Sequence, residues 1–156
     1  MDHRVYRDAV VSNRREHGLS VVDEWTDGFD PVWVERDEDP TLGDVYVLST
    51  IVDAIDHDPS EVVETADRFR DVLADRVDPS RESTTPIGYV VFTIPDPDDR
   101  LLETATSYTV AERRTNVFPI VYDRQDQRLH THSIPRLKGR GIYRRQVDDA
   151  EKLFEV

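Results

Sequence analysis

Residues 44–62 read DVYVLSTIVDAIDHDPSEV and join a strand directly to the start of a helix. Residues 44–52 form an apolar run that is typical of a strand covered on both faces. Residues 58–61 (DPSE) then supply an N-cap, a proline at the first helical position and an acid at the third. The apolar residues of 62–77 recur at spacings of three and four, which predicts a helix.

The same order of signals continues along the chain. Residues 87–94 (IGYVVFTI) predict a second buried strand, and residues 96–99 (DPDD) a second acid-capped helix start. Residues 116–122 (NVFPIVY) predict a third strand, in which Pro119 favours an edge position or a bulge. Strand, helix, strand, helix, strand is the pattern of a parallel sheet with right-handed crossovers.

The flanking segments carry weaker signals. Residues 3–16 predict a weakly amphipathic helix, and residues 20–36 (SVVDEWTDGFDPVWVER) read as a β-hairpin or two edge strands around Asp27-Gly28. Residues 128–134 (RLHTHSI) favour an antiparallel strand. A glycine-containing loop (PRLKGRG), the segment IYRR and a short C-terminal helix over 147–156 follow.

We therefore predict a single α/β domain over residues 1–156, the common size of one domain. Its mixed sheet has a three-strand parallel βαβαβ core, an N-terminal helix and hairpin, and a C-terminal antiparallel strand plus short helix. Residues 1–17 are a possible N-terminal helical arm. The absence of cysteine excludes disulfides, thiolate metal sites and a cysteine nucleophile. Without a signal pattern or a long apolar run, we expect a cytoplasmic protein that does not enter membranes.

The charge is strongly acidic and unevenly composed. Asp and Glu number 33 against 20 Lys and Arg, for a net charge of −13, and only Lys138 and Lys152 are lysines. This Asp-rich, Lys-poor composition resembles that of proteins from salt-in archaea. In molar salt the screening length falls to about 3 Å, so self-repulsion costs little while carboxylates keep the surface hydrated. The composition thus predicts a halophilic protein.

Residues 113–145 are the exception to this acidity. They hold nine basic residues and only the acids Asp123 and Asp126, a net charge of +7. Guanidinium groups bind phosphates bidentately, and phosphate neutralisation dominates the affinity of proteins for nucleic acids. Gly139 and Gly141 would allow the backbone to approach a phosphate.

We expect this basic hairpin and loop to contact RNA, DNA or another anionic partner, with His132 and Tyr143 available for stacking on bases. The predicted contact residues are Arg128, His130, His132, Arg136, Lys138, Arg140, Tyr143, Arg144 and Arg145. The alternative is that these arginines pair with acids of the same chain or of another subunit.

Two sets of side chains suggest metals. His130 and His132 share a face if residues 128–134 form a strand, and Asp123 could add an oxygen ligand. Acids also follow each core strand, at the edge where open α/β sheets bind ligands, and converging carboxylates there could hold Mg²⁺. These acids are Asp53, Asp56, Asp58, Asp96, Asp98, Asp99 and Asp123. The alternative is that they begin helices, because acids favour the positive end of a helix.

Three functional hypotheses remain. The first is a noncatalytic module that binds nucleic acid or another polyanion and needs its arginines on one exposed face. The second is a Mg²⁺-dependent nuclease or phosphotransfer enzyme, which needs at least three of the strand-end carboxylates to meet. The third is an oligomerising regulatory protein whose basic segment contacts acids of a neighbouring copy. The chain has no nucleophile elbow, His-Glu-x-x-His motif or phosphate loop.

Overall fold

A computed structural model of the chain describes residues 2–22, 26–77, 84–112, 114–136 and 139–156. The helices of this part are α1 (His3–Glu16), α2 (Pro59–Arg76), α3 (Asp99–Thr106) and α4 (Arg140–Leu153). Its strands are β1 (Ser20–Val21), β2 (Val32–Asp39), β3 (Gly43–Asp53), β4 (Thr85–Ile94), β5 (Ala111–Glu112), β6 (Thr115–Asp123) and β7 (Arg128–His130).

These strands form one mixed sheet in the order β1-β2-β3-β4-β6-β5, and β7 also pairs with β6. The central strands β3, β4 and β6 are parallel, whereas the other pairs are antiparallel. The helix α2 connects β3 to β4, and α3 lies between β4 and β6. The predicted single α/β domain with a mixed sheet and a parallel βαβαβ core is confirmed.

Aspartates begin the first three helices. Asp58 and Glu61 form a capping box at the start of α2, which also has Pro59 in its first turn. The backbone N–H of Leu101 donates to the Asp98 carboxylate at 2.8 Å in α3. In α1 the backbone N–H of Val5 donates to the carboxylate of Asp2 in the same way. Each cap satisfies an N–H group that has no partner within its helix.

The apolar core lies on both faces of the sheet. In β4, Val90 and Phe92 face the layer that contains Phe69 of α2. The alternate residue Tyr89 faces the opposite layer, together with Phe154 just beyond α4. Helices therefore cover both faces, which explains why the central strands are continuously apolar.

The sequence predicted only part of the antiparallel end of the sheet. β1 pairs with β2 across the Asp27-Gly28 region, with Ser20 opposite Val34. A longer hairpin, which the sequence did not predict, joins β2 to β3 and extends to the pair Asp39–Gly43. The charged half of β2 (ERDED) has no apolar alternation, so its pattern does not read as a strand.

The start of α4 also differs from the prediction. Residues 135–141 were expected to form a loop, but α4 begins at Arg140 and includes Gly141. A Cβ on Gly141 would lie only 2.7 Å from Thr41 Cγ2, in the turn between β2 and β3. Gly141 therefore allows α4 to pack closely on this hairpin.

The sequence favoured an edge position or a bulge for Pro119, whereas β6 is an interior strand with partners on both sides. On the side of β6 away from β4, β5 pairs with residues 115–116 and β7 with residues 121–123. Pro119 falls between these two segments and has only Val90 of β4 as a strand partner in the described structure. Its missing N–H therefore costs no ladder hydrogen bond there.

Candidate functional site

The arginines of the basic segment separate into exposed and buried groups. Arg128, Arg136, Arg140 and Arg144 are exposed. None of these four side chains forms an ion pair or a hydrogen bond with another residue that the structure describes. Arg113 and Lys138, which belong to the same segment, lie outside the described residues.

Three of the exposed arginines lie around the start of α4, and we call Arg136, Arg140 and Arg144 the α4 basic face. Arg140 and Arg144 are one turn apart on the helix, with Cβ atoms roughly 6 Å from each other. Arg136 precedes Arg140 by four residues, so their Cα atoms are at most about 14 Å apart. Arg140 and Arg144 therefore share a face of α4, and Arg136 is close to them along the chain.

Arg128 belongs to the other end of the sheet. It pairs with Asp123, the last residue of β6, whereas Gly141 contacts Thr41 just before β3 begins. Because β3 and β6 run in the same direction, Arg128 lies at the carboxyl edge and the start of α4 at the amino edge. The predicted contact residues therefore do not form one surface.

Arg145 is buried, unlike its neighbour Arg144, and only 8% of its surface is exposed. Its Nε donates to Asp149 Oδ2 at 2.9 Å and its Nη1 to Asp37 Oδ2 at 3.0 Å. Asp39 lies 3.5 Å from the same guanidinium. Although burial disfavours its charge, Asp149 and Asp37 hold the pKa of Arg145 above its ordinary value. The ion-pairing alternative therefore applies to Arg145, which we leave out of the contact surface.

Asp149, the partner of Arg145 on α4, is also buried. Asp149 is 3% exposed and also accepts a hydrogen bond from the Tyr89 hydroxyl at 2.7 Å. Burial raises the pKa of Asp149, while the Tyr89 and Arg145 donors oppose this effect. Because Tyr89 belongs to β4 and Asp37 to β2, their hydrogen bonds to this pair connect α4 to the sheet.

His132 is likewise a core residue and does not lie on the contact surface. Its ring contacts Phe118 edge-on, at 5.4 Å between centroids, and Nε2 lies 3.3 Å from the Tyr108 carbonyl oxygen. Its backbone N–H donates to Gln146 Oε1 at 2.6 Å. Burial lowers the pKa of His132, which favours the neutral imidazole. His132 is therefore not placed to stack on bases.

The remaining predicted contacts are half-buried. Tyr143 also packs edge-on against Phe118, at 5.3 Å between ring centroids. His130 lies on β7 opposite Val121 of β6. Only the outer parts of these two side chains remain accessible from solvent.

The start of α4 lacks the aspartate N-cap that α1, α2 and α3 have. Its N-cap is Gly139, which has no side chain to accept a hydrogen bond, and the first turn contains no acid. Arg140 occupies the first helical position instead. The unpaired backbone N–H groups and the positive end of the helix dipole therefore add to the charge of the α4 basic face.

The strand-end carboxylates are used mainly within turns. Asp58 and Asp98 are helix N-caps, and Asp123 Oδ1 accepts the backbone N–H groups of Gln125 and Asp126. Asp56 and Asp96 are exposed. Across the described ranges, no group of three or more His, Asp or Glu side chains is arranged to hold a metal ion. The convergence required by the Mg²⁺ hypothesis, and by the His130–His132 pair, is thus not found there.

The carboxyl edge carries a cluster that the sequence did not reveal. His3 Nδ1 lies 2.7 Å from Thr93 Oγ1, at the end of β4. Arg124 Nη2 lies 3.7 Å from Asp53 Oδ1, and both residues act electrostatically on His3. The signal for Thr93 was a lone hydroxyl near the end of an apolar strand, but no local pattern links it to His3, which is 90 residues away.

Comparison of the chain with protein-family models, with curated protein sequences and with solved structures found no match. No helix in the described ranges has the length and apolar character needed to cross a membrane.

Proposed function

We propose that this protein is a noncatalytic module that binds nucleic acid through the α4 basic face. The observation that carries this proposal is the exposure of Arg136, Arg140 and Arg144 without acidic partners in the described structure. Other arginines are used internally: Arg14, Arg70 and Arg145 are buried. Although the chain has a net charge of −13, these three neighbouring arginines have no acidic partner among the described residues, so they are available to an anionic ligand.

The chemistry of this face suits phosphate groups. Arg140 and Arg144 can each take a separate phosphate of a nucleic-acid backbone with a bidentate guanidinium contact. The first-turn N–H groups of α4 can donate to a phosphate oxygen at the same place. The phosphates of a nucleic-acid backbone follow one another regularly, as Arg140 and Arg144 do along α4. We therefore favour a nucleic acid over the irregularly placed carboxylates of a protein surface. Such contacts position the nucleic acid but do not read its sequence.

We also propose that the protein works in a salt-loaded cytoplasm. The support is the composition, in which Asp far outnumbers Glu and lysine occurs only at Lys138 and Lys152. Because molar salt weakens each phosphate contact, a binder there depends on fixed geometry. The buried Arg145–Asp149 pair supplies that geometry, since buried pairs are screened far less than exposed ones.

A filter-binding assay with labelled RNA and DNA tests the proposal, at low and at molar KCl and without divalent cations. The variant Arg140→Glu/Arg144→Glu should lose binding. The matched control is Arg4→Glu/Arg100→Glu, which changes the net charge equally at exposed arginines near the carboxyl edge. Control binding within about threefold of wild type supports the proposal, because steering by net charge alone is weak and screened by salt.

Two results would overturn it. One is no retention of either nucleic acid by the wild type at low salt. The other is an equal loss of binding in the two double variants. That result would show that binding depends on the net charge of the protein and not on the α4 basic face. Sedimentation of the same samples addresses self-association, because an oligomer that dissociates only on reversal of Arg140 and Arg144 would assign the face to a second copy.

A further inference from the structure

The carboxyl edge of the parallel strands holds four polar residues from four parts of the chain. His3 comes from the first turn of α1, Thr93 from β4 and Asp53 from the end of β3. Arg124 follows β6, and its backbone N–H donates to the Ile94 carbonyl at 2.9 Å. Open α/β sheets bind their ligands at this edge.

Thr93 orients the histidine ring. The Thr93 hydroxyl has one hydrogen, and its candidate acceptors are His3 Nδ1 at 2.7 Å and the Val52 carbonyl at 3.5 Å. If that hydrogen goes to the Val52 carbonyl, Nδ1–H donates to the Thr93 oxygen, so the 2.7 Å contact forms in either tautomer of the ring. Thr93 is fully buried, so this contact turns Nδ1 toward the sheet and fixes the orientation of the ring. In the imidazolium form Nε2 is a hydrogen-bond donor.

Arg7 adds a second cation beside His3. It lies one turn further along α1, so the two side chains share a face of the helix. The Nε of Arg7 is buried and has no hydrogen-bond partner in the described part of the chain. A buried donor without a partner is costly, and binding of an acceptor would remove that cost.

We propose that His3, Arg7 and Arg124 bind the phosphate group of a small ligand at the carboxyl edge of the sheet. The three side chains present N–H donors from α1 and from the segment after β6. The site is at the opposite edge from the α4 basic face, so it is independent of nucleic-acid binding there.

The charge of Asp53 selects for phosphate over a carboxylate. Asp53 already contacts Arg124, but at 3.7 Å and with 45% of its side chain exposed. A ligand carboxylate carries one negative charge, so its exchange for the Asp53 carboxylate would leave the charge beside Arg124 unchanged. A phosphate close to dianionic gains from Arg7 and Arg124 together and can displace the Asp53 carboxylate.

The state of His3 agrees with this assignment. Burial lowers the pKa of His3, the Asp53 carboxylate opposes this effect, and Arg124 and Arg7 add to it. The Asp2 carboxylate also raises the pKa, and it is engaged by the backbone N–H of Val5. A bound phosphate would stabilise the imidazolium form, so binding must raise the pKa of His3.

NMR titration of the histidine side chains tests the site in phosphate-free and sulfate-free buffer. The probes are inorganic phosphate, glycerol phosphate and acetate. We expect saturable shifts of the His3 signals with both phosphates in the millimolar range, a raised His3 pKa, and binding of acetate at least about tenfold weaker. Whichever phosphate binds more tightly identifies the ligand as free phosphate or as a phosphomonoester.

Variants separate the site from nonspecific effects. Arg7→Gln should weaken phosphate binding about tenfold, and Arg15→Gln, an exposed arginine of the same helix, should not. Thr93→Val should weaken binding without changing any charge, because it removes the hydroxyl that orients the His3 ring. If Thr93→Val folds poorly, His3→Asn provides a second site variant, with binding read from the backbone amide shifts of the site because the His3 ring signals are then absent.

The proposal fails if phosphate produces no saturable shift of His3 in the wild type. It also fails if Arg7→Gln and Arg15→Gln bind phosphate equally, or if acetate binds as tightly as phosphate.

Discussion

Arg145 Nε donates to Asp149 Oδ2 at 2.9 Å, and this pair within α4 is hydrogen-bonded to two strands of the sheet. The two residues are one turn apart on the helix, and the Asp149 carboxylate also accepts from Tyr89 of β4. On the other side, Arg145 reaches Asp37 of β2. The neighbouring Arg144, on the outside of the same helix, forms no hydrogen bond or ion pair with the described residues. Arg145 thus holds the helix on the sheet, whereas the adjacent Arg144 faces solvent.

Replacing Arg145 should therefore destabilise the protein far more than replacing Arg144. Arg145→Met would leave the buried Asp149 carboxylate without its cation, which costs about 3–5 kcal/mol of unfolding free energy. Arg144→Met should change that free energy by less than about 0.5 kcal/mol. Urea denaturation of both variants at one fixed KCl concentration measures the difference. Equal stabilities would show that the buried network does not hold α4.

A second pair of arginines, on α2, allows the same kind of comparison. Arg70 is 5% exposed and donates to the Thr115 carbonyl at 2.8 Å and to the Thr109 carbonyl at 2.7 Å. It thereby holds the segment between α3 and β6. Arg70→Met should lower the unfolding free energy by about 2–4 kcal/mol, because buried carbonyls lose a charged donor.

The matched control for Arg70 is Arg68, which lies on the same helix and pairs with Asp27 at 3.1 Å. This pair is about half-exposed, so Arg68→Met should cost less than about 1 kcal/mol. Thermal unfolding of the two variants side by side gives the comparison. A larger loss for Arg68→Met than for Arg70→Met would contradict the assigned role of Arg70.

The buried His132 predicts a pH dependence of stability. Its pKa is lowered from 6.5 because burial disfavours the charged ring, so the unfolded chain takes up a proton first as the pH falls. The unfolding free energy should therefore decrease as the pH drops through 6.5, by at most about 1.4 kcal/mol per pH unit from this group. The raised pKa of Asp149 has the opposite effect on the unfolding free energy above pH 3.8, where it favours the folded state as the pH falls. Asp149 is present both in the wild type and in a His132 variant, so its effect cancels when the two are compared.

Comparison with His132→Phe isolates this effect. Phenylalanine keeps the contact with Phe118 but has no proton to gain. Unfolding free energies between pH 5 and pH 7 should depend less steeply on pH in the variant than in the wild type. A steeper dependence in the variant would show that His132 is protonated in the folded state.

The parallel core could be predicted from the sequence because its signals are local. Residues 58–61 carry a capping box and a proline at the start of α2 within four consecutive positions, and the strand before them is continuously apolar. The β2–β3 hairpin was not predicted because the second half of β2 is charged. Its residues gain their strand conformation from pairing with β3, and Arg145 balances Asp37 and Asp39.

The candidate site was only partly predictable for a similar reason. Composition marked residues 113–145 as basic, but it does not distinguish Arg144 from Arg145, because helix orientation decides which of them faces the sheet. The same limit applies to His132, whose burial depends on Phe118 and Gln146 from other elements. Asp58 and Asp98 are read equally well as caps or as metal ligands until the distances between them are known.

The salt dependence of nucleic-acid binding tests the central claim most directly. The logarithm of the association constant should fall linearly with the logarithm of KCl concentration, because each phosphate contact releases counterions. Relative to wild type, Arg140→Gln/Arg144→Gln should bind more weakly and should reduce the slope by about 1 for each arginine removed. An unchanged slope, or wild-type affinity in this variant at low salt, would contradict the assignment of Arg136, Arg140 and Arg144 as the nucleic-acid contact.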